Sequence, residues 1–151
     1  MKKVIIRNFR KSDITDQYIS WLNNKNLMKY SENRYHKFTK KKCLSFFYKL
    51  KQKKHFFFLI KKNNKLKKPI GTIIGRLDKR NSVCDLGILI SETGKGYGID
   101  AWNLAISLIF SKKIRKITAG TMSLNYPMLK VFRLSNMKFE YKKKNQFLYN
   151  N

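Results

Sequence analysis

The sequence predicts a single α+β domain over residues 1–151, built on a mixed, mostly antiparallel β-sheet flanked by helices. Three observations predict it. Apolar residues recur at helical spacing through the first third of the chain, and from His55 onward short β-rich runs are separated by polar turns. A glycine-rich turn, Thr93-Gly94-Lys95-Gly96-Tyr97-Gly98, then leads into an amphipathic helix and one more strand, the order of a crossover connection.

Residues 4–10 alternate β-branched and polar side chains, a strand closed by Ser12-Asp13, whose side chains suit a helix cap. Ile14, Tyr18, Trp21 and Leu22 repeat at helical spacing until Asn23-Asn24-Lys25-Asn26 breaks the run, and residues 27–30 add a short turn. Residues 31–38 have no period and are expected to form a loop. Thr39 caps a helix of about fourteen residues with Cys43, Phe46, Phe47 and Leu50 on its apolar stripe. Strands at 56–61, 70–77 and 83–90, joined by polar turns at 63–65 and 79–82, form an antiparallel meander. Beyond the glycine turn, Ala101, Leu104, Ala105, Leu108 and Ile109 define the amphipathic helix, and residues 117–122 are expected to pair in parallel with the meander. Residues 126–134 make a last helix. A terminal hairpin is expected from residues 139–142 and 147–149, with an edge that a second copy of the chain, in a homodimer, would complete.

The 28 Lys and 7 Arg stand against 8 acidic residues and give a formal charge of +27. A surface of that sign attracts nucleic acid, acidic membranes and nucleotides. Lys outnumbers Arg and is scattered among abundant Asn and Ile, whereas nucleic-acid readers concentrate charge and use the bidentate fork of Arg. Compositional bias accounts for the charge as well, and nucleic acid is a secondary expectation. Cys43, Cys84, His36 and His55 are too dispersed for a zinc site, so no metal is expected and both cysteines are read as buried free thiols in a reducing compartment. The apolar run at the N-terminus is broken by Arg7 after three residues, so it is a strand rather than a signal sequence. No apolar stretch nears the ~20 residues of a membrane span, and a cytoplasmic location is expected.

The glycine turn carries the chemistry. Glycines at alternate positions let backbone approach a ligand, and the first N–H groups of the following helix have no partner within it, which favours a phosphate.

With its elements placed, the chain resembles the GNAT superfamily of N-acetyltransferases over nearly its whole length. The acetyl-CoA motif of that family is a strand, a loop of the form Arg/Gln-x-x-Gly-x-Gly/Ala and a helix. Gly96 and Gly98 supply the glycines, and Thr93 stands where Arg or Gln is usual, which removes a side-chain contact and leaves the backbone cradle. The stretch from Gly94 to Trp102 is similar to that of the branch holding ribosomal-protein and sugar acetyltransferases. Asn125, Met128, Lys130, Phe132 and Ser135-Asn136-Met137 resemble a second family pattern, with Asn136 at a position usually held by Gly and suited to left-handed backbone. Phe132 stands where many members carry a Tyr thought to protonate the departing thiolate. Trp21-Leu22-Asn23-Asn24, Tyr30-Ser31-Glu32-Asn33-Arg34 and Thr39 are similar to a signature of the branch that acetylates nucleotide-linked amino sugars for surface polysaccharide or flagellin glycans.

The resemblance implies acetyl transfer from acetyl-CoA to a primary amine by direct attack. Lys95, Gly96, Tyr97, Gly98 and Ile99 would hold the diphosphate, Leu89 and Ile90 would pair with the pantetheine amides as an added strand, and Asn125 and Phe132 would border the pantetheine. Asp85, Glu32 and His36 are the candidate bases. Glu32 and Arg34 lie in the loop expected to cover the acceptor, where Arg34 suits a nucleotide phosphate. Two other functions stay open: protein N-terminal or lysine acetylation of the ribosomal-protein type, and a basic RNA-binding or non-catalytic module on the same fold.

Overall fold

The computed structural model describes residues 2–149 of the chain. Its sheet has five strands in the order β1-β2-β3-β4-β5: β1 Val4–Asn8, β2 Phe56–Lys62, β3 Pro69–Asp78, β4 Val83–Ile90 and β5 Lys116–Thr118. The first four are antiparallel neighbours in chain order, and β5 joins β4 in parallel, as the crossover predicts. The helices are α1 Asp16–Asn23, α2 Lys25–Met28, α3 Lys40–Gln52, α4 Tyr97–Phe110 and α5 Tyr126–Leu134.

Two apolar layers cover the two faces. On one, Ala101, Trp102, Ala105 and Ile109 of α4 pack against Val4, Phe58, Ile60, Ile73, Cys84 and Leu86, with Met128, Val131 and Phe132 of α5 beside them. On the other, Tyr18 and Trp21 of α1 and Cys43 and Leu50 of α3 pack on Phe57 and Leu59, with Ile74 and Leu89 alongside. The period of two sends neighbouring strand residues to opposite faces, which is why Phe57 and Phe58 serve different cores. Both cysteines are free and buried.

Several expectations are corrected. Asp13 does not cap α1. Its carboxylate accepts both guanidinium nitrogens of Arg7 at 2.7 Å each and the Arg10 N–H, while Thr15 accepts the Tyr18 N–H as the cap. Burial raises the Asp13 pKa, but the bonds and charges of Arg7 and Arg10 outweigh it and hold the carboxyl below its usual value. The 31–38 loop contains a short 3-10 helix, Glu32–Tyr35, capped by Ser31. Strand β5 has three residues rather than the six expected, because only Val83, Cys84 and Asp85 find partners on it. The terminal hairpin does not form: residues 137–149 hold no strand, and Phe139 and Leu148 stay more than four-fifths exposed. With no edge there, the reason for expecting a second copy is gone.

The tail is instead tied to other segments. Lys116 pairs with Glu140, Arg34 donates to the Leu148 carbonyl at 3.0 Å, and Tyr30 stacks on Tyr149.

Candidate active site

The site is built where β4 loses its neighbour. Pairing with β3 continues from Val83 to Ile90, but pairing with β5 stops at Asp85↔Thr118. Leu86–Ile90 therefore offers a main-chain edge with no strand on that side, roughly 16 Å long at 3.3 Å per residue. Leu89 and Ile90, the candidates for pairing with an extended ligand, lie at its end.

The chain then turns through Gly94 and Gly96, both at positive φ (77° and 78°), and enters α4. Among the described residues, four of the five α-helices carry a side-chain cap, from Thr15, Asn24, Thr39 and Asn125. Helix α4 has Gly96 at its N-cap and no side-chain acceptor. The N–H groups of Tyr97, Gly98 and Ile99 are thus left for a ligand at the positive end of a fourteen-residue helix. A Cβ at Gly98 would lie 3.6 Å from Val131 of α5, so Gly98 faces the α5 side, while a Cβ at Gly96 would lie 3.2 Å from Lys3 Nζ, on the β1 side.

Lys95 is less free than the sequence suggests. Its ammonium pairs with Glu92 at 3.0 Å, and Lys62 holds the same carboxylate at 2.8 Å. Bonds from Lys62 and Lys95 keep Glu92 below its usual carboxylate range.

The candidate acid–base residues are not gathered. Asp85 is exposed on the face that bears Leu89, and Thr118 Oγ1 donates to it at 3.4 Å. A Cβ added at Gly87, between them, would meet nothing within 4 Å, which leaves an open trough along that face. Glu32 and His36 are exposed in and beside the 3-10 segment, and no hydrogen bond joins either to Asp85 among the described residues. Arg34 Nη1 donates to the Ser31 carbonyl and Nη2 to Tyr35 and Leu148, so this guanidinium already ties the tail to the loop.

Asn125 caps α5: Oδ1 accepts the Met128 N–H and Nδ2 donates to Thr121 at 2.9 Å. Phe132 packs 5.7 Å from Trp102, whose indole N–H is buried without a partner among the described residues. Asn136 takes left-handed backbone (φ 57°), as its resemblance to the family Gly position implies. Neither thiol is primed for attack: burial and the charge of Asp85 push Cys84 up to about 11, and burial raises Cys43.

Lys3 and Lys62 leave no local sign in the sequence, because each acts through contacts distant in the chain. Strand β4, the glycine turn and helix α4 follow in the order of the family motif, and the family model of the acetyltransferase (GNAT) domain matches residues 3–138. The chain belongs to the GNAT acetyltransferase family. It is an N-acetyltransferase domain.

Solved structures agree on the fold of this GNAT domain. A spermidine N-acetyltransferase from Vibrio cholerae, in complex with CoA and spermine, is similar at a TM-score of 0.87 and 18% identity, covering 99% of this chain and 89% of that one. A ribosomal-protein-S5-alanine acetyltransferase from Vibrio fischeri is similar at 0.72 and 22% identity, covering 90% and 80%. A microcin C7 self-immunity acetyltransferase in complex with acetyl-CoA and AMP gives 0.73 and 14%, covering 90% and 79%. No curated protein sequence matches the chain. No helix among the described residues is long and apolar enough to cross a membrane.

Proposed function

We propose that this GNAT domain transfers the acetyl group of acetyl-CoA to a primary amine carried by an anionic acceptor, with a nucleotide-linked amino sugar as the acceptor class. The observation that carries the donor assignment is helix α4, uncapped at Gly96, beside the unpaired edge of β4. Acetyl-CoA supplies the acetyl group: a C–N bond to the amine forms, the C–S bond breaks, and the amine proton leaves to a base. The amides of Tyr97, Gly98 and Ile99 hold the diphosphate, and the Leu86–Ile90 edge aligns the pantetheine as an added strand. A main-chain N–H near Leu89 polarises the thioester carbonyl, a contribution of roughly 2.7–4 kcal/mol for a preorganised donor.

Asp85 is the preferred base, because it shares the open trough with Leu89, whereas Glu32 and His36 sit at the separate 3-10 segment. Phe132 has no proton to give, so the thiolate takes its proton from solvent. Both cysteines stay protonated at neutral pH, which supports direct attack over an acyl-enzyme.

The charge of +27 favours an anionic acceptor over a polyamine, which it repels. The same argument supports a second reading, acetylation of a protein N-terminus or lysine on an acidic or RNA-rich partner, in line with the ribosomal-protein acetyltransferase among the similar structures. Thiol release from acetyl-CoA, measured with a UDP-linked amino sugar, spermidine and N-terminal peptides in parallel, separates them. Turnover on the sugar nucleotide alone supports the first reading, on peptides the second; turnover only on spermidine overturns the charge argument.

A further inference from the structure

A lysine-lined cavity borders the glycine turn on its β1 side. A cavity of about 360 Å³ is lined by Lys2 and Lys3 at the start of β1, Lys62 and Asn63 at the end of β2, and Lys95 and Tyr97 at the turn. Four ammonium groups thus border one small space. Its shape is fixed by bonds to main-chain carbonyls: Asn63 N–H donates to the Lys3 carbonyl at 2.8 Å, Asn63 Nδ2 to the Lys2 carbonyl at 2.9 Å, and Lys3 Nζ to the Lys95 carbonyl at 3.0 Å. Two carboxylates are near. Glu92 neutralises one charge between Lys62 and Lys95, and Asp100 accepts the Lys3 backbone N–H at 2.7 Å. The remaining positive charge of the lining is unbalanced, and an anion seated among these lysines would relieve their mutual repulsion.

The cavity shares Lys95 and Tyr97 with the glycine turn but lies on the β1 side of it. Gly98 and the unpaired β4 edge face α5 and β5, whereas the cavity opens between β1 and the β2–β3 turn, at the opposite end of the strand order. Its volume is at the lower end for small-molecule sites, enough for one or two phosphoryl groups rather than a whole coenzyme. We propose that the cavity binds a phosphoryl group. The two sources are the 3′-phosphate of the donor's own nucleotide, folded back over the turn, and a free phosphorylated small molecule acting as an effector. The proposal rests on the donor reading above only for the first source.

Inorganic pyrophosphate is the probe, titrated calorimetrically into the protein saturated with 3′-dephospho-acetyl-CoA, so that the donor cleft is filled and its third phosphate absent. Binding at one site is expected, weakened about tenfold or more in Lys2→Gln/Lys62→Gln. The control Lys51→Gln/Lys53→Gln removes the same charge from the C-terminal end of α3 and should leave that affinity within about twofold. Repeating the titration with acetyl-CoA distinguishes the sources: lost pyrophosphate binding assigns the pocket to the donor's 3′-phosphate, retained binding to a free anion. Equal weakening in both double variants, or no pyrophosphate binding to the wild-type complex, overturns the proposal. If neither donor binds, the donor reading fails instead, and the same variants titrated without donor decide the pocket.

Discussion

Gly71 couples the fold to the site. It lies in β3 opposite Ile90, and a Cβ built there would stand 2.2 Å from the Leu89 carbonyl oxygen and 3.2 Å from Ile90 Cα. An ordinary carbon–oxygen contact is about 3.3 Å, so Gly71→Ala requires roughly 1 Å of separation. The obstructing atom is main chain, so β4 itself must move. Overpacking of this kind costs about 1–3 kcal/mol, or roughly 2–12 °C in melting temperature for a chain of this size. The same displacement moves the Leu89–Ile90 edge on which the thioester is aligned, and misplacement by about 1 Å costs on the order of 100-fold in rate. Circular-dichroism melting and thiol-release kinetics, the latter well below the midpoint, measure both effects. For melting, Gly87→Ala is the matched control: a Cβ there meets nothing within 4 Å, and replacing a strand glycine gains up to about 1 kcal/mol. A Gly71→Ala protein with wild-type melting and wild-type kcat/KM would refute the link between this contact and the donor edge.

Asp85→Asn should lower kcat about 100-fold or more with little change in the Michaelis constant for acetyl-CoA; a wild-type kcat removes Asp85 as the base. His55 Nδ1 accepts the Leu77 N–H at 3.0 Å, and burial first, then Lys53, Arg76 and Lys79, hold the imidazole below its ordinary pKa. A depressed pKa gives stability that is complete above the unfolded value of about 6.5 and is lost as pH falls below it, so the wild-type melting temperature should drop more than that of His55→Gln as pH is lowered through about 6.5. Trp102 is fully buried with an unpartnered indole N–H, and Trp102→Phe should cost well under the ~3–5 kcal/mol of Trp102→Ala, because it also removes an unsatisfied donor; equal losses in chemical denaturation would contradict this.

The meander and the glycine turn are legible because their signals are local: β-rich runs end at polar turns, and positive-φ positions are taken by Gly94 and Gly96. The cap of α1 is ambiguous in sequence because Ser12, Asp13 and Thr15 are all capping types, and Arg7, six residues before Asp13, decides among them. The lengths of β5 and the tail escape for one reason. Apolar alternation shows that a segment can be a strand, but a strand also needs a neighbour, and β4 diverges from β5 after Asp85. Within the site, the turn and the β4 edge can be read from sequence, whereas the Lys3 contact to Lys95 joins residues 92 apart and leaves no local trace.

The main-chain cradle at the start of α4 is tested most directly by calorimetric titration of acetyl-CoA into the folded wild-type chain and into Gly98→Ile, whose side chain would fill the gap toward Val131. A saturable one-site heat in the wild type, lost in a Gly98→Ile protein that still melts cooperatively, is the predicted result. No saturable heat in the wild type, or the same affinity in both, would contradict it.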